Sequence, residues 1–290
     1  MEIEQGRVTA NGLEFGYLAT GKGPLALCLH GFPDSAWTWR YLLPELAAAG
    51  FRAIAPFMRG YAPTDVPTDG RYQTGALAAD ALALHDVLGG DGDAVIVGHD
   101  WGATATYGAA AHEPGRWRRV VTMAVPPAGA LAGAFFSYPQ FKRSFYMFLF
   151  QLPMAESLVA ANDLAFIEGL WSDWTGPGYD ASEDVARVKD CLREPANLTA
   201  ALGYYRSMLG TLPPAPELSD VQAATAAPTP QPTLYLQGAD DRALGIELAK
   251  GAEAFLGPGS RMEVVEDANH FLHLEKPTEI NKLVVEFVTS

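Results

Sequence analysis

The chain has 290 residues, 49% of them hydrophobic, which is enough for one large α/β domain or two smaller ones with a buried core. Its 34 acidic residues against 20 basic ones give a formal net charge of −14, which argues against a nucleic-acid backbone as partner because such binding draws on clustered Lys and Arg. Two cysteines, Cys28 and Cys191, offer neither a disulfide framework nor metal-ligand spacing, and no apolar run approaches the length of a bilayer span.

The opening “MEIEQGRVTA” lacks the basic start and apolar stretch of a secretory signal, so a cytoplasmic location is expected. “RVTANGLEFGYLAT” alternates around an Asn-Gly pair and reads as an antiparallel hairpin. Short apolar runs then take turns with longer helical patterns: “PLALCLH”, “WTWRYLLPELAAAG”, “FRAIAP”, Thr74 to Leu88, “AVIVGH”, Trp101 to His112 and “RVVTMAVP”. This order implies βαβ units and a mostly parallel sheet flanked by helices, an α/β class. Arg116, Arg118 and Arg119 form the one basic cluster, a solvated helix end.

The alternation lapses from about Pro126 to Pro228, where aromatic-rich helical segments such as “FFSYPQFKRSFYMFLFQLP” follow one another with no strand between. An inserted helical cap is expected over 127–228, ending in a linker rich in Pro, Ala and Thr, with the α/β core at 1–126 and 229–290. The pattern resumes with the strand “PTLYLQG”, a helix near Ile246 to Leu256, the strand “RMEVVED” and a final helix “PTEINKLVVEFV”.

“VIVGHDWGAT” reads as strand, sharp turn and helix, with Gly98 and Gly102 two residues to either side of Asp100. Small flanking residues allow a strained turn that holds its central side chain at the carboxyl end of the sheet, as in the nucleophile turn of α/β-hydrolases. The plain alternative is an aspartate that merely caps the helix. Three further motifs weigh against that alternative. “LHGFPDSAWTWR” follows a strand and resembles a His-Gly-X-Pro oxyanion loop, in which the Phe32 and Trp101 amides would stabilise developing negative charge. “LQGADDRA” ends a strand with Asp240 and Asp241, and “VVEDANHFLHLEKP” places His270 after the next strand. Nucleophile, acid and histidine thus occur in the chain order of the α/β-hydrolases.

Through “HGFPDSAWTWR”, “RGYAPT”, “GHDWGA”, “NLTAALGYYR”, “GADD” and “ANHFLHLEKP”, the whole chain resembles the α/β-hydrolase-fold epoxide hydrolases of the soluble type. The resemblance implies Asp100 as nucleophile, Asp241 as charge partner, His270 as the activator of water and Tyr205 as a cap tyrosine that holds the epoxide oxygen. The family's Gly-X-X-Asp spacing from Gly238 favours Asp241 over Asp240. Tyr204 lies one residue off the match. The family's second tyrosine position is occupied here by Leu149, and Tyr146 lies one helical turn earlier, so Tyr146 is taken as the second donor and Leu149 as a lining residue beside Trp101 and Phe32.

A carboxylate at position 100 is ionised at neutral pH without help and attacks saturated carbon, whereas a serine must first be deprotonated and suits a carbonyl. The product is an alkyl ester, hydrolysed by water that His270 deprotonates while Asp241 orients the ring. The expected reaction converts an epoxide to a vicinal diol, with no cofactor and no metal; the partners are a small-molecule epoxide and water, with no nucleic acid and no membrane, and homo-oligomerisation is left open. A haloalkane dehalogenase with the same nucleophile is the near rival, with Trp101 and either Trp171 or Trp174 as indole donors to halide. Charged haloacids fit poorly, because Trp101 and Thr104 stand where arginines would hold a substrate carboxylate. A non-catalytic ligand-binding member of the fold is the rival of another kind. His30, His99 and His273 are expected as scaffold, and His85 and His112 as packing or surface residues. Phe135, Phe136, Phe141, Phe145, Phe148 and Phe150 are expected to pack the cap, some of them against an apolar pocket.

Overall fold

The computed structural model describes residues 2–290. Eight strands, β1 (Glu4–Ala10), β2 (Leu13–Gly21), β3 (Leu25–Leu29), β4 (Arg52–Pro56), β5 (Val95–His99), β6 (Arg119–Met123), β7 (Thr233–Gly238) and β8 (Arg261–Val265), form one sheet in the order β1-β2-β4-β3-β5-β6-β7-β8. β2 is antiparallel to both its neighbours, and from β4 to β8 every pairing is parallel. The expected hairpin turns at Asn11 and Gly12, both at positive φ (46° and 77°), as a two-residue turn matched to the strand twist demands. Every residue of β3, β5 and β7 is buried, which is why these strands read as continuous apolar runs rather than alternating ones.

The core helices are α1 (Leu42–Ala48), α2 (Thr74–Val87), α3 (Trp101–His112), α10 (Ser219–Ala224), the short α11 (Leu272–Glu275) and α12 (Pro277–Thr289). α2, α3 and α10 pack together, and α1 packs against α12. Between β6 and β7 lie α4 (Ala128–Ala134), α5 (Tyr138–Arg143), α6 (Phe145–Leu149), α7 (Ala155–Trp174), α8 (Ser182–Leu192) and α9 (Pro195–Met208). α7 is broken at Ala161–Leu164, where Asn162, Asp163 and Leu164 adopt positive φ.

Two stretches differ from the sequence expectation. Within the presumed return linker, Ser219–Ala224 folds as α10, which packs on α2 and α3, and Gln222 Oε1 accepts from the Gly75 amide at 2.7 Å. The prolines on either side signal a linker, but the alanines between them favour helix and Val221 is buried. The helix expected near Ile246 to Leu256 is instead two 3₁₀ turns, Ile246–Ala249 and Ala252–Phe255, separated at Gly251, which is left-handed with φ 80°.

Candidate active site

Asp100 stands between the end of β5 and the start of α3 with φ 52° and ψ −119°, outside the regions open to most residues with a Cβ. Its neighbours make that turn possible. A Cβ on Gly98 would lie 2.2 Å from the Gly102 carbonyl oxygen, and one on Gly102 would lie 2.1 Å from the Leu29 carbonyl oxygen. A Cβ on Gly31 would meet the Asp100 carboxylate itself, at 2.3 Å from Oδ1. The carboxylate makes no helix-capping hydrogen bond; Oδ1 accepts from the Phe32 amide at 2.7 Å. Burial pushes the Asp100 carboxyl above its ordinary value, and the charge of His270 with the Phe32 and Trp101 amides opposes the rise.

The second carboxylate oxygen, Oδ2, faces His270 Nε2 at 3.8 Å. His270 Nδ1–H donates to Asp241 Oδ2 at 3.0 Å, which fixes the tautomer so that Nε2, buried and without a partner in the protein, points toward Asp100. Asp241 is itself held: Oδ1 accepts from the amides of Ala243 and Leu244, each at 2.8 Å. Asp240 is exposed, and its side chain takes no part in this chain of contacts. Burial works against a charged His270 ring, but Asp241 and then Asp100 outweigh it and raise the ring above its ordinary value.

Aromatic rings close over the carboxylate. Tyr146 and Phe150, four residues apart at the end of the first cap segment, both turn inward, while Leu149 between them is half-buried. Tyr205 on α9 packs edge-on against Trp101 and against Phe32, with centroids 5.1 Å apart in each pair, and lies 5.5 Å from Tyr146. The Tyr205 hydroxyl is buried with no hydrogen-bond partner in the protein. Burial raises both phenols well above their ordinary range, and the nearby charge of Asp100 raises them further. The adjacent Tyr204 differs: its hydroxyl donates to the Arg59 carbonyl at 2.8 Å.

The family model described as alpha/beta hydrolase fold matches residues 24–277, a span that holds the strand-turn-helix aspartate, the histidine between two carboxylates and the His-Gly loop. The chain belongs to the α/β-hydrolase fold family. This α/β-hydrolase is 31% identical over 287 residues to the AB hydrolase superfamily protein YfhM of Bacillus subtilis, covering 97% of this chain and 96% of that one. It is also 31% identical to Epoxide hydrolase 3 of Xenopus tropicalis, across 97% of this chain and 76% of the relative. Among solved structures it superposes on Epoxide Hydrolase A from Mycobacterium thermoresistibile with a TM-score of 0.81 at 26% identity, covering 100% of this chain and 99% of that one.

Two further buried histidines of this α/β-hydrolase, His30 and His99, hydrogen-bond to backbone groups. His30 Nδ1–H donates to Gly31 O and its Nε2 accepts from the Met58 amide, each at 2.9 Å, and burial lowers the ring to about 4. His99 Nε2–H donates to the His270 carbonyl at 2.9 Å. Asp34, His99 and His273 are buried, with one donor atom each lying within 4.8 Å of the others. A tetrahedral Zn²⁺ with Zn–N bonds of about 2.0–2.1 Å would hold its ligands nearer together, so these three would have to close in to bind an ion. Among the described residues no helix is long and apolar enough to cross a membrane.

Two residues take roles that the sequence reading does not give them. Trp171 donates its indole N–H to the Pro33 carbonyl at 2.7 Å and stacks on Phe271 with centroids 3.7 Å apart, so one cap ring touches both the Phe32 loop and the His270 loop. Arg59, from “RGYAPT”, forms a buried two-bond pair with Asp80, each bond 2.6 Å, and its carbonyl receives Tyr204. Nothing in the sequence couples Arg59 to α9.

Proposed function

We propose that this α/β-hydrolase is an epoxide hydrolase that opens its substrate through an ester on Asp100. The observation that carries the reading is the division of labour between the two oxygens of one carboxylate. Oδ1 is engaged by the Phe32 amide, while Oδ2 is turned toward the interior where His270 and the cap tyrosines converge. Oδ2 attacks an epoxide carbon from behind; the C–O bond of the ring breaks, and Tyr205, with Tyr146 beside it, gives a proton to the departing oxygen. Water then loses a proton to His270 Nε2 and attacks the ester carbonyl, whose oxygen is Oδ1, already in its amide site. The adduct collapses by breaking the acyl C–O bond, the departing oxygen takes the His270 proton to complete the diol, and the remaining water proton returns to the tyrosinate as the carboxylate is restored. Relatives of comparable length named epoxide hydrolases support this reading.

The cap argues against halide as the leaving group. Trp171, one of the two indoles considered for that role, spends its N–H on the Pro33 carbonyl, and Phe32 offers the site only its backbone donor. On this reading the apolar rings of Phe32, Trp101 and Phe150 select an apolar epoxide. The Pro126 to Pro228 insertion serves as the lid, and the protein works in solution in the cytoplasm without a cofactor.

One turnover in heavy-oxygen water tests the reading, with enzyme in excess over styrene oxide. The label is expected in the Asp100 carboxylate and absent from the diol, because the diol keeps the enzyme's original oxygen. Label in the diol from the first turnover, with none on Asp100, would mean direct attack by water and would remove the ester. Halide release from 1-chlorobutane without diol formation from any epoxide would move the assignment to the dehalogenases.

A further inference from the structure

The loop between β8 and α11 carries His270 but has no regular structure of its own, and its setting depends on what grips it. Beyond the Asp241 bond, the His270 amide donates to the Trp174 carbonyl at 3.1 Å, at the end of α7 in the cap. The residue before it is gripped by Glu275. One oxygen, Oε2, accepts from the Asn269 amide at 3.3 Å, from Asn269 Nδ2 at 3.4 Å and from the amide of Gly176 at 3.1 Å. Gly176 lies just beyond α7, so a single carboxylate oxygen joins the histidine loop to the cap backbone. The position is built for close approach: a Cβ on Gly176 would sit 3.0 Å from Oε2 and 3.3 Å from Asn269 Nδ2. The other oxygen, Oε1, is buried without a partner, an arrangement that costs free energy and that a purely stabilising contact would not need.

We infer that Glu275 is a positioning residue for the ester-hydrolysis step: by tying Asn269 to Gly176 it sets the height of the His270 ring against the cap, and with it the line from Nε2 to the Asp100 ester. This rests on the epoxide hydrolase reading. Asp100, the Phe32 amide, Tyr146 and Tyr205 do not touch Glu275, so ring opening should be indifferent to its loss, whereas a histidine displaced by a fraction of an ångström deprotonates water poorly.

Stopped-flow single turnovers of styrene oxide, followed by tryptophan fluorescence, separate ester formation from ester hydrolysis in the parent enzyme and in Glu275→Ala, Glu275→Gln and Gly176→Ala. Glu275→Ala should slow hydrolysis by about tenfold or more while ester formation stays within about twofold, so that kcat and KM fall together and kcat/KM holds. Glu275→Gln, which keeps an oxygen able to accept the same three N–H groups, should restore most of the hydrolysis rate. Should Glu275→Ala fail to fold, as judged by its melting curve, Gly176→Ala carries the test with the same expected pattern. Equal slowing of both steps, unchanged hydrolysis, or a Gln variant as impaired as the Ala variant would overturn the inference. A parent enzyme that forms no Asp100 ester with the epoxide sinks the functional reading and this inference with it; an ester that forms and clears normally in the variants sinks this inference alone.

Discussion

At position 100 burial and polarity oppose each other, and the balance carries through to position 270. On the proposed mechanism, the same apolar enclosure that lifts the Asp100 carboxyl above its ordinary value leaves its anion poorly solvated and so a more reactive nucleophile. The charge left on Asp100 then helps to hold the His270 proton, adding to Asp241 in raising the ring above the ordinary imidazole value. Ester formation cancels that charge. On the proposed mechanism one of the raising influences would disappear when a neutral, proton-accepting His270 is required, so that esterification would itself tune the base. The sign follows: the ring is inactive below its pKa, so ester hydrolysis should fall on the acid side, and its acid limb should lie at lower pH than the His270 titration of the free enzyme. Single-turnover hydrolysis rates against pH, set beside an NMR titration of His270 in the resting protein, provide the comparison. An acid limb at higher pH than that titration would contradict the assignment.

Among the elements, α9 has two adjacent tyrosines that its register sends to opposite duties. Both rings pack edge-on against Trp101, with centroids at 5.5 and 5.1 Å, but the 100° step between them sends the Tyr204 hydroxyl to the Arg59 carbonyl and sets Tyr205 against Phe32 as well. The helix is fixed at both ends of this contact: Asn197 Nδ2 donates to the Gly60 carbonyl at 2.8 Å, and Arg206 pairs with Glu156 through two bonds of 2.5 and 2.9 Å. Removing each hydroxyl should therefore give opposite phenotypes. Tyr205→Phe should slow ester formation by about 10²-fold, the scale of a lost proton donor, with little change in melting temperature. Tyr204→Phe should cost about 1 kcal/mol of stability in urea unfolding, and ester formation should stay within a few-fold. The reverse pattern would exchange the two roles. “GYYR” announces a pair of tyrosines, but which of them faces the nucleophile depends on where helix α9 lies on the core.

On the scale of the whole molecule, the helical insertion between β6 and β7 is joined to the rest of the chain by buried polar contacts as well as by rings. Arg40 pairs with Asp184 of α8 through bonds of 2.5 and 3.1 Å, and the Tyr179 hydroxyl donates to the same carboxylate at 2.6 Å. Burial disfavours the Arg40 charge, yet Asp184 more than compensates and pushes its pKa up. Such a pair is worth little against an apolar replacement but is expensive to break on one side. Asp184→Ala should destabilise the protein by about 3–5 kcal/mol, and circular dichroism and tryptophan fluorescence should still report one coincident transition. Separate transitions would show that the cap unfolds independently.

The sequence by itself determined the alternation of strands and helices, the Asn-Gly hairpin, the elbow at Asp100 and the chain order of Asp100, Asp241 and His270. These features are local: hydrophobic period, turn chemistry and glycine spacing act over a few residues and leave their mark in the letters. It misjudged α10 and the stretch after Ile246, where weak local preferences yield to packing on α2 and α3 and to a left-handed glycine. Only the tertiary structure decided which oxygen of Asp100 meets the Phe32 amide, that the Tyr205 hydroxyl is unengaged while that of Tyr204 is not, and that Trp171 and Glu275 bind the cap to the two loops of the site. Those facts are distances between residues far apart in the chain, set by how the cap settles on the sheet, and no local pattern encodes them.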